Sequence, residues 1–344
     1  MSRTVAVVGA TGAVGQDLRR LLDARGFPCD EVVFVASPRS AGTTLRFREA
    51  DVVVRSIDDP GVFDGVDVAL FSAGGGVSRE HAPRAVAAGA VVVDNSSAWR
   101  LDADVPLVVT EVNPGALADV PKGIVANPNC TTMVAMLPLK ALSDAFGLTG
   151  FVATSYQAAG GAGQKGIDEL VAQVPPLSAD PELLRRDGAA AAKLVEPSVH
   201  AATLAFNVVP WLGSAAADGY TDEELKVVHE SRKILDLPDL AVSPTCVRVP
   251  VMVGHAVAVR ATFRDPVDLD EARTRLAAFP GLVVCDVPTP LEWAGRDEVA
   301  VGRIRADLTD PRALSFFVVG DNLLKGAALN TVQIAELLVV RGGA

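Results

Sequence analysis

Cys130 follows Asn127, Pro128 and Asn129 in "NPNCTT" and stands before the apolar run "MVAMLPLKAL". Pro128 cannot begin a central strand and favours a break, which puts Cys130 in the first turn of a helix. The positive end of a helix dipole stabilises a thiolate. Neighbouring backbone N–H groups and the Asn129 amide can hold an oxyanion. That chemistry is nucleophilic attack on a carbonyl carbon; the alternative is a buried structural cysteine. A nucleophilic thiol needs a base, and the chain has four histidines. His81 falls on a surface-like helix and His229 within a charged one. His255, in "CVRVPVMVGHAVAV", is flanked by apolar strand residues and Gly254. It is either a catalyst or a satisfied core histidine. Arg248 stands seven residues earlier. On a regular strand the two would lie on opposite faces, about 23 Å apart. One site holds both only if the chain turns between them, and Pro250 and Gly254 permit that. A straight strand from 248 to 255 would exclude it.

Two glycine clusters point to a second ligand. "VAVVGATGAVGQDL" places Gly9, Gly12 and Gly15 between a strand and a helix. The spacing is GxxGxxG, yet it meets the same need: a tight turn and close approach of backbone to a pyrophosphate at a helix N-terminus. A glycine-rich turn without a ligand is the alternative. The second strand ends in "VASPRSAG". No acid stands there to hold a ribose 2′-hydroxyl; Ser37, Arg39 and Ser40 stand there instead. A guanidinium and hydroxyls suit a 2′-phosphate, so the expected cofactor is NADP. A solvated basic turn would read the same way. "FSAGGG", with Ser72, Gly74 and Gly75, would let the chain pass close to the cofactor or form a flexible turn.

"YTDEELKVVHESRKIL" has Thr221 as N-cap and Glu224 three residues on, a capping box, so Glu224 is structural. Glu223 and Lys226 share a helix face, and their spacing suggests a surface ion pair. Arg100, after a strand end in "DNSSAWR", reads as a surface arginine.

The elements that must position these groups follow from patterning. "TVAVVGA", "EVVFVAS", "VDVALFSA", "AVVVDNS" and "PLVVTEVNP" read as strands, separated by helices such as "VGQDLRRLLDARG", where Val14, Leu18, Leu21 and Leu22 share a face and Gly26 is the stop. Strand and helix in alternation give a parallel, doubly wound sheet. After Cys130, "GFVATSYQAA" and "CVRVPVMVGHAVAVRATF" are long β patterns and suggest a mixed sheet. "QVPPLSADPELLRRDGAAAAKLVEPS" has few core anchors and reads as an excursion. "LLKGAALNTVQIAELLVV" is an apolar helix expected to pack back on the first domain. The expected fold is α/β: an N-terminal doubly wound Rossmann-type NADP-binding domain, residues 1–128 with a C-terminal helix at about 322–344, and an α+β catalytic and dimerisation domain, 129–321, with a mixed β-sheet.

The 344 residues are long for one core, which also suggests two domains. A net charge of -11 argues against a nucleic-acid partner held by counterion release. No apolar run approaches the roughly 18 residues that span a membrane, and no secretory signal opens the chain. Four cysteines without a CxxC pair make a metal site or a disulfide framework unexpected and suggest the cytoplasm.

"GATGAVG", "DNSSAWR", "NPNCTT", "SYQAAGGAG", "TDEELK" and "RVPVMVGH", in this order, resemble aspartate-β-semialdehyde dehydrogenases over essentially the whole chain. The resemblance implies Cys130 as nucleophile, His255 as acid/base catalyst and Gln157 as an orienting residue. It implies that Arg248 grips the substrate α-carboxylate, with Glu223 on the amino group, and that Arg100 and Lys226 bind phosphate or the acyl phosphate. Thr11, Gly12, Ala13 and Val14, with Arg39 and Ser40, would hold NADP, and Gly160, Gly161 and Asn322 would lie beside its nicotinamide end. These roles replace the plainer readings of Arg100, Glu223 and Lys226. Residues 173–200 carry no motif that the resemblance explains.

The implied reaction, in the oxidative direction, is attack of the Cys130 thiolate on L-aspartate 4-semialdehyde, with His255 taking the thiol proton. Hydride transfer to NADP⁺ leaves a thioester, and phosphate captures it as 4-phospho-L-aspartate. The biosynthetic direction is the reverse, on the route to lysine, threonine and methionine, in a homodimer or homotetramer. The nearest alternative is N-acetyl-γ-glutamyl-phosphate reductase, which has glycine where this chain has Asn129. Its acetamide substrate would not suit Glu223. A binding protein with a dead site would not need Cys130, Gln157, Arg248 and His255 together.

Overall fold

The computed structural model describes residues 3–342. The chain divides into two compact units: Met1–Asn129 with Lys233–Asp236 and Leu323–Ala344, and Cys130–Arg232 with Leu237–Asn322.

The first unit is built on six parallel strands, side by side as Arg55–Ser56, Glu31–Ala36, Thr4–Val8, Val68–Phe71, Val91–Asp94 and Ile124–Ala126. Numbered along the chain, the order is 3-2-1-4-5-6, that of doubly wound nucleotide-binding sheets. Helices cover both faces of such a sheet, so its strands are apolar runs without alternation. Val5, Ala6, Val7 and Val8 are accordingly all buried. The helix Ala13–Ala24 buries Leu18, Leu21 and Leu22 and gives way to Gly26, whose φ of 59° lies in the left-handed region. The C-terminal segment Leu324–Ala328 is a π-helical turn leading into the helix Leu329–Gly342. Leu324, Leu329, Val332 and Ile334 join the same core as Leu18 and Phe34, as the apolar pattern predicts. One expected strand does not form. "PLVVTEVNP" contributes a single bridge, Leu107 to Ala126, and then turns, because the Asn113 side chain bonds back to the Val109 amide and the Leu107 carbonyl. Side-chain bonds of this kind offer the backbone an alternative to a ladder.

The second unit holds a mixed sheet in the order Ala241–Arg248, Leu148–Gln157, His255–Phe263, Ala313–Gly320, Val299–Ala306 and Leu282–Val284. The first two strands are parallel, and His255–Phe263 runs antiparallel to both its neighbours. The helix Cys130–Phe146 packs on the four inner strands and buries Met133, Val134, Met136, Leu137 and Leu139. The excursion is better anchored than its sequence suggests. Leu170, Leu177, Ala191 and Leu204 bury together, with Leu183, Leu184 and Val195 against them. Helices of six and five residues, Pro181–Arg186 and Gly188–Ala192, are too short to show a periodic face.

Candidate functional site

In the second unit the strand ends assemble one cluster. Arg248 closes its strand directly beside Gln157, the last residue of the neighbouring strand. The chain then leaves the sheet. Residues 249–254 form a loop stitched to the segment after Gln157: the Val249 amide donates to the Gln157 carbonyl (3.0 Å), and the amides of Ala159 and Gly160 donate to the carbonyls of Val251 and Met252. Gly254, at φ 99°, returns the chain to the sheet at His255. The turn required between Arg248 and His255 is present. Gly160 and Gly161 follow in a 3₁₀ turn, Ala159–Ala162. A Cβ on Gly161 would sit 2.7 Å from Arg248 Nη1 and 3.1 Å from His255 Nε2, so both functional groups face this glycine. A Cβ on Gly160 would meet the Met252 carbonyl at 2.8 Å. Asn322 accepts the Gly254 amide at 2.8 Å.

Cys130 is the first residue of its helix, as expected, and all four cysteines are thiols. Arg248 Nη1 donates to the Ala158 carbonyl at 2.6 Å. Burial pushes the Arg248 pKa down, while Cys130 and Glu223 lie close enough to act on it in the opposite sense. His255 is fully buried. Its Nδ1 accepts the Ala158 amide at 3.0 Å. Burial, reinforced by Arg248, pushes its pKa well below the ordinary histidine range. Gln157 is buried, with Nε2 donating to Ser155 Oγ at 3.2 Å.

The capping box is present, with the Thr221 amide 2.8 Å from Glu224 Oε2. Glu224 also accepts the Cys246 amide, which ties the helix to the sheet. Glu223 and Lys226 do pair, at 3.1 Å, but the Glu223 side chain is only 13% exposed. The surface reading of that pair is therefore corrected: tertiary packing has covered it. Lys226 also pairs with Asp222 at 2.9 Å. Desolvation works against its charge, but the two carboxylates outweigh that and raise its pKa.

A cavity of about 330 Å³ opens beside Arg248, lined by Val199, His200, Trp211, Leu212 and Gly213 among others. The excursion thus supplies a wall that sequence reasoning missed. Glu169 holds this wall: it accepts the amides of Ser198, Val199 and His200 and the Ser198 hydroxyl. Burial raises the Glu169 pKa, but these hydrogen bonds outweigh it and bring the value down to about 2.

In the first unit Gly9 follows the first strand at φ 87°, and a Cβ there would strike the Ser72 carbonyl at 2.3 Å. Gly9 and Ser72 therefore meet where the strand order reverses, between the first and fourth strands, the place where such sheets bind ligands. Gly15 packs against Gly9 O, leaving no room for a side chain. Gly12 is the N-cap of Ala13–Ala24, with neither a side-chain cap nor an acid in the first turn. The first helical amides, Ala13 and Val14 among them, lack intrahelical partners, so with Thr11 beside them they fit a pyrophosphate. Gly74, φ 85°, caps the next helix in the same way. Ser37, Arg39 and Ser40 lie in or beside the 3₁₀ turn Pro38–Ser40 after the second strand, with Arg39 exposed. Together with residues 9–15 this edge of the sheet fits a nicotinamide dinucleotide.

Arg100 is buried, not on the surface as its position suggested; it donates to the carbonyls of Asn127 (2.9 Å) and Asn95 (2.8 Å). Asn129 is buried too. His81 is likewise buried, its Nδ1 2.7 Å from Arg84 Nη1, and not on an outer face. His229 is exposed. A buried polar network was missed altogether. Lys325, 1% exposed, bonds to Glu111, Thr110, Asn330 and Gln333. Asn330 bonds in turn to Asn127 at 2.7 Å, and Asn127 to Asn95 at 2.6 Å. The one available signal was a lone charge in the apolar run "LLKGAAL".

Among the described residues no cluster of side chains suits a metal ion, and no helix is long and apolar enough to cross a membrane. A nucleotide-type sheet and a mixed-sheet unit with a thiol at a helix start define a class of dehydrogenase. The family models agree: residues 4–120 match the semialdehyde dehydrogenase NAD-binding domain and 139–325 the semialdehyde dehydrogenase dimerisation domain. Aspartate-semialdehyde dehydrogenase of Corynebacterium glutamicum is 53% identical, over 98% of this chain and 99% of its own. A crystal structure of aspartate semialdehyde dehydrogenase II from Vibrio cholerae, complexed with ASA, matches with a TM-score of 0.92 and 42% identity, over 98% of both chains. Aspartate semialdehyde dehydrogenase with NADP from Candida albicans matches at 0.74 and 25%, also over 98% of both. The chain belongs to the aspartate-semialdehyde dehydrogenase family.

Proposed function

We propose that the chain converts 4-phospho-L-aspartate and NADPH into L-aspartate 4-semialdehyde, phosphate and NADP⁺, reversibly, through a thioester on Cys130. The observation that carries this reading is the convergence of Arg248 and His255 on Gly161, in the unit whose central helix begins at Cys130. Cys130 forms the bond to the acyl carbon and holds it during reduction. Arg248 binds the α-carboxylate through N–H groups, and Glu223 the α-ammonium group. Gln157 and Asn129 orient the reacting carbonyl, and His255 is the acid/base catalyst that takes the thiol proton. Arg100 and Lys226 bind the phosphate. The nicotinamide cofactor, when bound, supplies or accepts the hydride. Residues 9–15 hold its pyrophosphate, with Ser72 and Gly74 beside them. Arg39, Ser37 and Ser40 take a 2′-phosphate, which favours NADP, and the Candida albicans relative is described with NADP. Gly160, Gly161 and Asn322 stand beside the nicotinamide. A domain of the dimerisation type supports a homodimer or homotetramer, and the route to lysine, threonine and methionine in the cytoplasm is the place for this reaction.

The test is absorbance in the NADPH band with purified protein, NADP⁺, phosphate and L-aspartate 4-semialdehyde, beside N-acetylglutamate semialdehyde. Phosphate-dependent NADPH formation with the first aldehyde alone is expected, and Cys130→Ala should abolish it. Activity with the second alone would overturn the substrate.

A further inference from the structure

Lys226 does not stand alone. Its Nζ lies 2.9 Å from Asp222 Oδ2 and 3.1 Å from Glu223 Oε2, both in the first turn of its own helix, Asp222–Leu235. Spacings of four and three residues put the three side chains on one face. One ammonium thus faces two carboxylates, and the group carries a net negative charge, an unfavourable setting for an anion such as phosphate. The two carboxylates differ. The Glu223 side chain is 13% exposed and takes the substrate ammonium in the proposed reaction; that of Asp222 is 44% exposed and has no part in it. Asp222 is nevertheless fixed. Its Oδ1 accepts the Ser214 amide, and its own amide donates to the Ser214 carbonyl at 2.9 Å. Oδ1 also lies over Gly213, φ 75°, where a Cβ would stand 1.9 Å from it, so only glycine leaves room for the carboxylate. Gly213 in turn lines the cavity beside Arg248. Burial would raise the Asp222 pKa, but Lys226 and the Ser214 amide outweigh it and lower it, so the group is a carboxylate at neutral pH.

We infer that Asp222 is a positioning residue that competes with phosphate for the Lys226 ammonium, and so weakens phosphate binding and speeds phosphate release. The inference rests on the proposed reaction, in which Lys226 binds phosphate and Glu223 the substrate ammonium. Once that ammonium takes Glu223, Asp222 is the counter-ion left to Lys226. A lysine is a point charge on a flexible four-carbon stem, so its ammonium can turn from Asp222 to phosphate and back. Asp222, fastened to Ser214, cannot follow it. Each binding event therefore breaks the Asp222–Lys226 pair, and each release restores it. No covalent bond changes and no proton moves. In the biosynthetic direction phosphate is a product, and a product held less tightly leaves faster. The pair is partly exposed, so its worth is that of a solvated ion pair, about two- to fivefold in affinity.

The test is Asp222→Asn, an isosteric change whose side-chain oxygen can still accept the Ser214 amide. Oxidation of L-aspartate 4-semialdehyde at varied phosphate should show a phosphate KM about two- to fivefold below that of wild type, with KM for the aldehyde and for NADP⁺ unchanged. A packing defect would raise KM or lower kcat; it would not tighten phosphate. An unchanged or raised phosphate KM overturns the inference. The second arm makes the same substitution in Lys226→Met protein. Acting through Lys226, Asp222 should have no effect on phosphate affinity there. An equal gain without the lysine would mean plain charge repulsion and would overturn the competition. Binding of inorganic phosphate alone, followed by phosphorus NMR, makes the same comparisons without turnover. If wild-type protein makes no NADPH from L-aspartate 4-semialdehyde and phosphate, the proposed reaction fails, while phosphate binding still decides the part played by Asp222. If phosphate binds neither wild type nor Asp222→Asn, the inference falls as well.

Discussion

Gly161→Ala places a methyl group between the two side chains on which the proposed reaction depends. The added carbon would lie 2.7 Å from Arg248 Nη1 and 3.1 Å from His255 Cε1 and Nε2. Ordinary contact begins near 3.4 Å, so Arg248 must retreat by about 0.7 Å and the imidazole by about 0.3 Å. Neither moves freely, because both are tied to Ala158, one to its carbonyl and the other to its amide. A misplacement approaching 1 Å costs about 100-fold in rate, or about 2.7 kcal/mol of transition-state stabilisation. The φ of Gly161 lies outside the left-handed region, so alanine imposes no backbone strain, and the loss of glycine's freedom in the unfolded chain stabilises by roughly 0.4–1 kcal/mol. The expected signature is kcat/KM about 100-fold lower with Tm nearly unchanged. Phosphate-dependent NADPH formation and a thermal melt measure the two. Gly188→Ala, at a helical position with nothing within 4 Å, is the control and should leave activity intact. If Gly161→Ala stays within about threefold of wild type, Arg248 and His255 do not share a reacting centre, and the reasoning fails.

Arg39→Ala should weaken NADP binding by about tenfold or more, the worth of one charge-assisted contact, and leave NAD binding unchanged; equal effects on the two cofactors in a fluorescence titration would remove the 2′-phosphate assignment. Asn330→Ala strips a buried amide from Val108 O, Asn127 Oδ1 and the Lys325 ammonium. Unpaired buried groups cost about 1–3 kcal/mol each, so the urea midpoint should fall by an amount equivalent to about 2–4 kcal/mol; a loss below about 1 kcal/mol would mean that the network re-forms around water. The Glu169 carboxyl, low at about 2 in the folded chain, stabilises residues 198–200 above the ordinary carboxylate value of 4.5. That contribution should fade as pH falls from 4.5 towards 2. Hydrogen-exchange protection of the Val199 and His200 amides, taken relative to their intrinsic rates at each pH, should fall over that window in wild type and show no such pH step in Glu169→Gln.

Local pattern carried much of the architecture. The runs around Val5–Val8 and Val68–Phe71 are apolar without alternation because both faces of a parallel sheet are covered, and that rule acts on a few adjacent residues. Pro128 before Cys130 fixed the helix start, and Pro250 with Gly254 marked the turn that Arg248 and His255 require; both are constraints on single φ angles. Readings failed where an outcome depended on residues far apart in the chain. "PLVVTEVNP" looks like a strand, but Asn113 takes its hydrogen bonds. Arg100, His81 and Glu223 look like surface groups, yet each is largely covered by chain that no local pattern announces. Lys325 was hidden because its partners Glu111 and Thr110 lie more than 200 residues away.

By itself the sequence determined the identities of the thiol, the imidazole and the guanidinium, the glycines that allow close approach, and the two kinds of sheet. It carried the family resemblance as well. Only the tertiary structure decided how those groups are presented: that the Ala158 amide meets His255 Nδ1, that Gly161 lies between His255 and Arg248, and that the excursion walls the cavity beside Arg248. The physical reason is that hydrophobic period and backbone torsion are properties of neighbouring residues. A hydrogen bond such as Ala158 N–H to His255 Nδ1 joins positions 97 residues apart and exists only once the strands between them have paired.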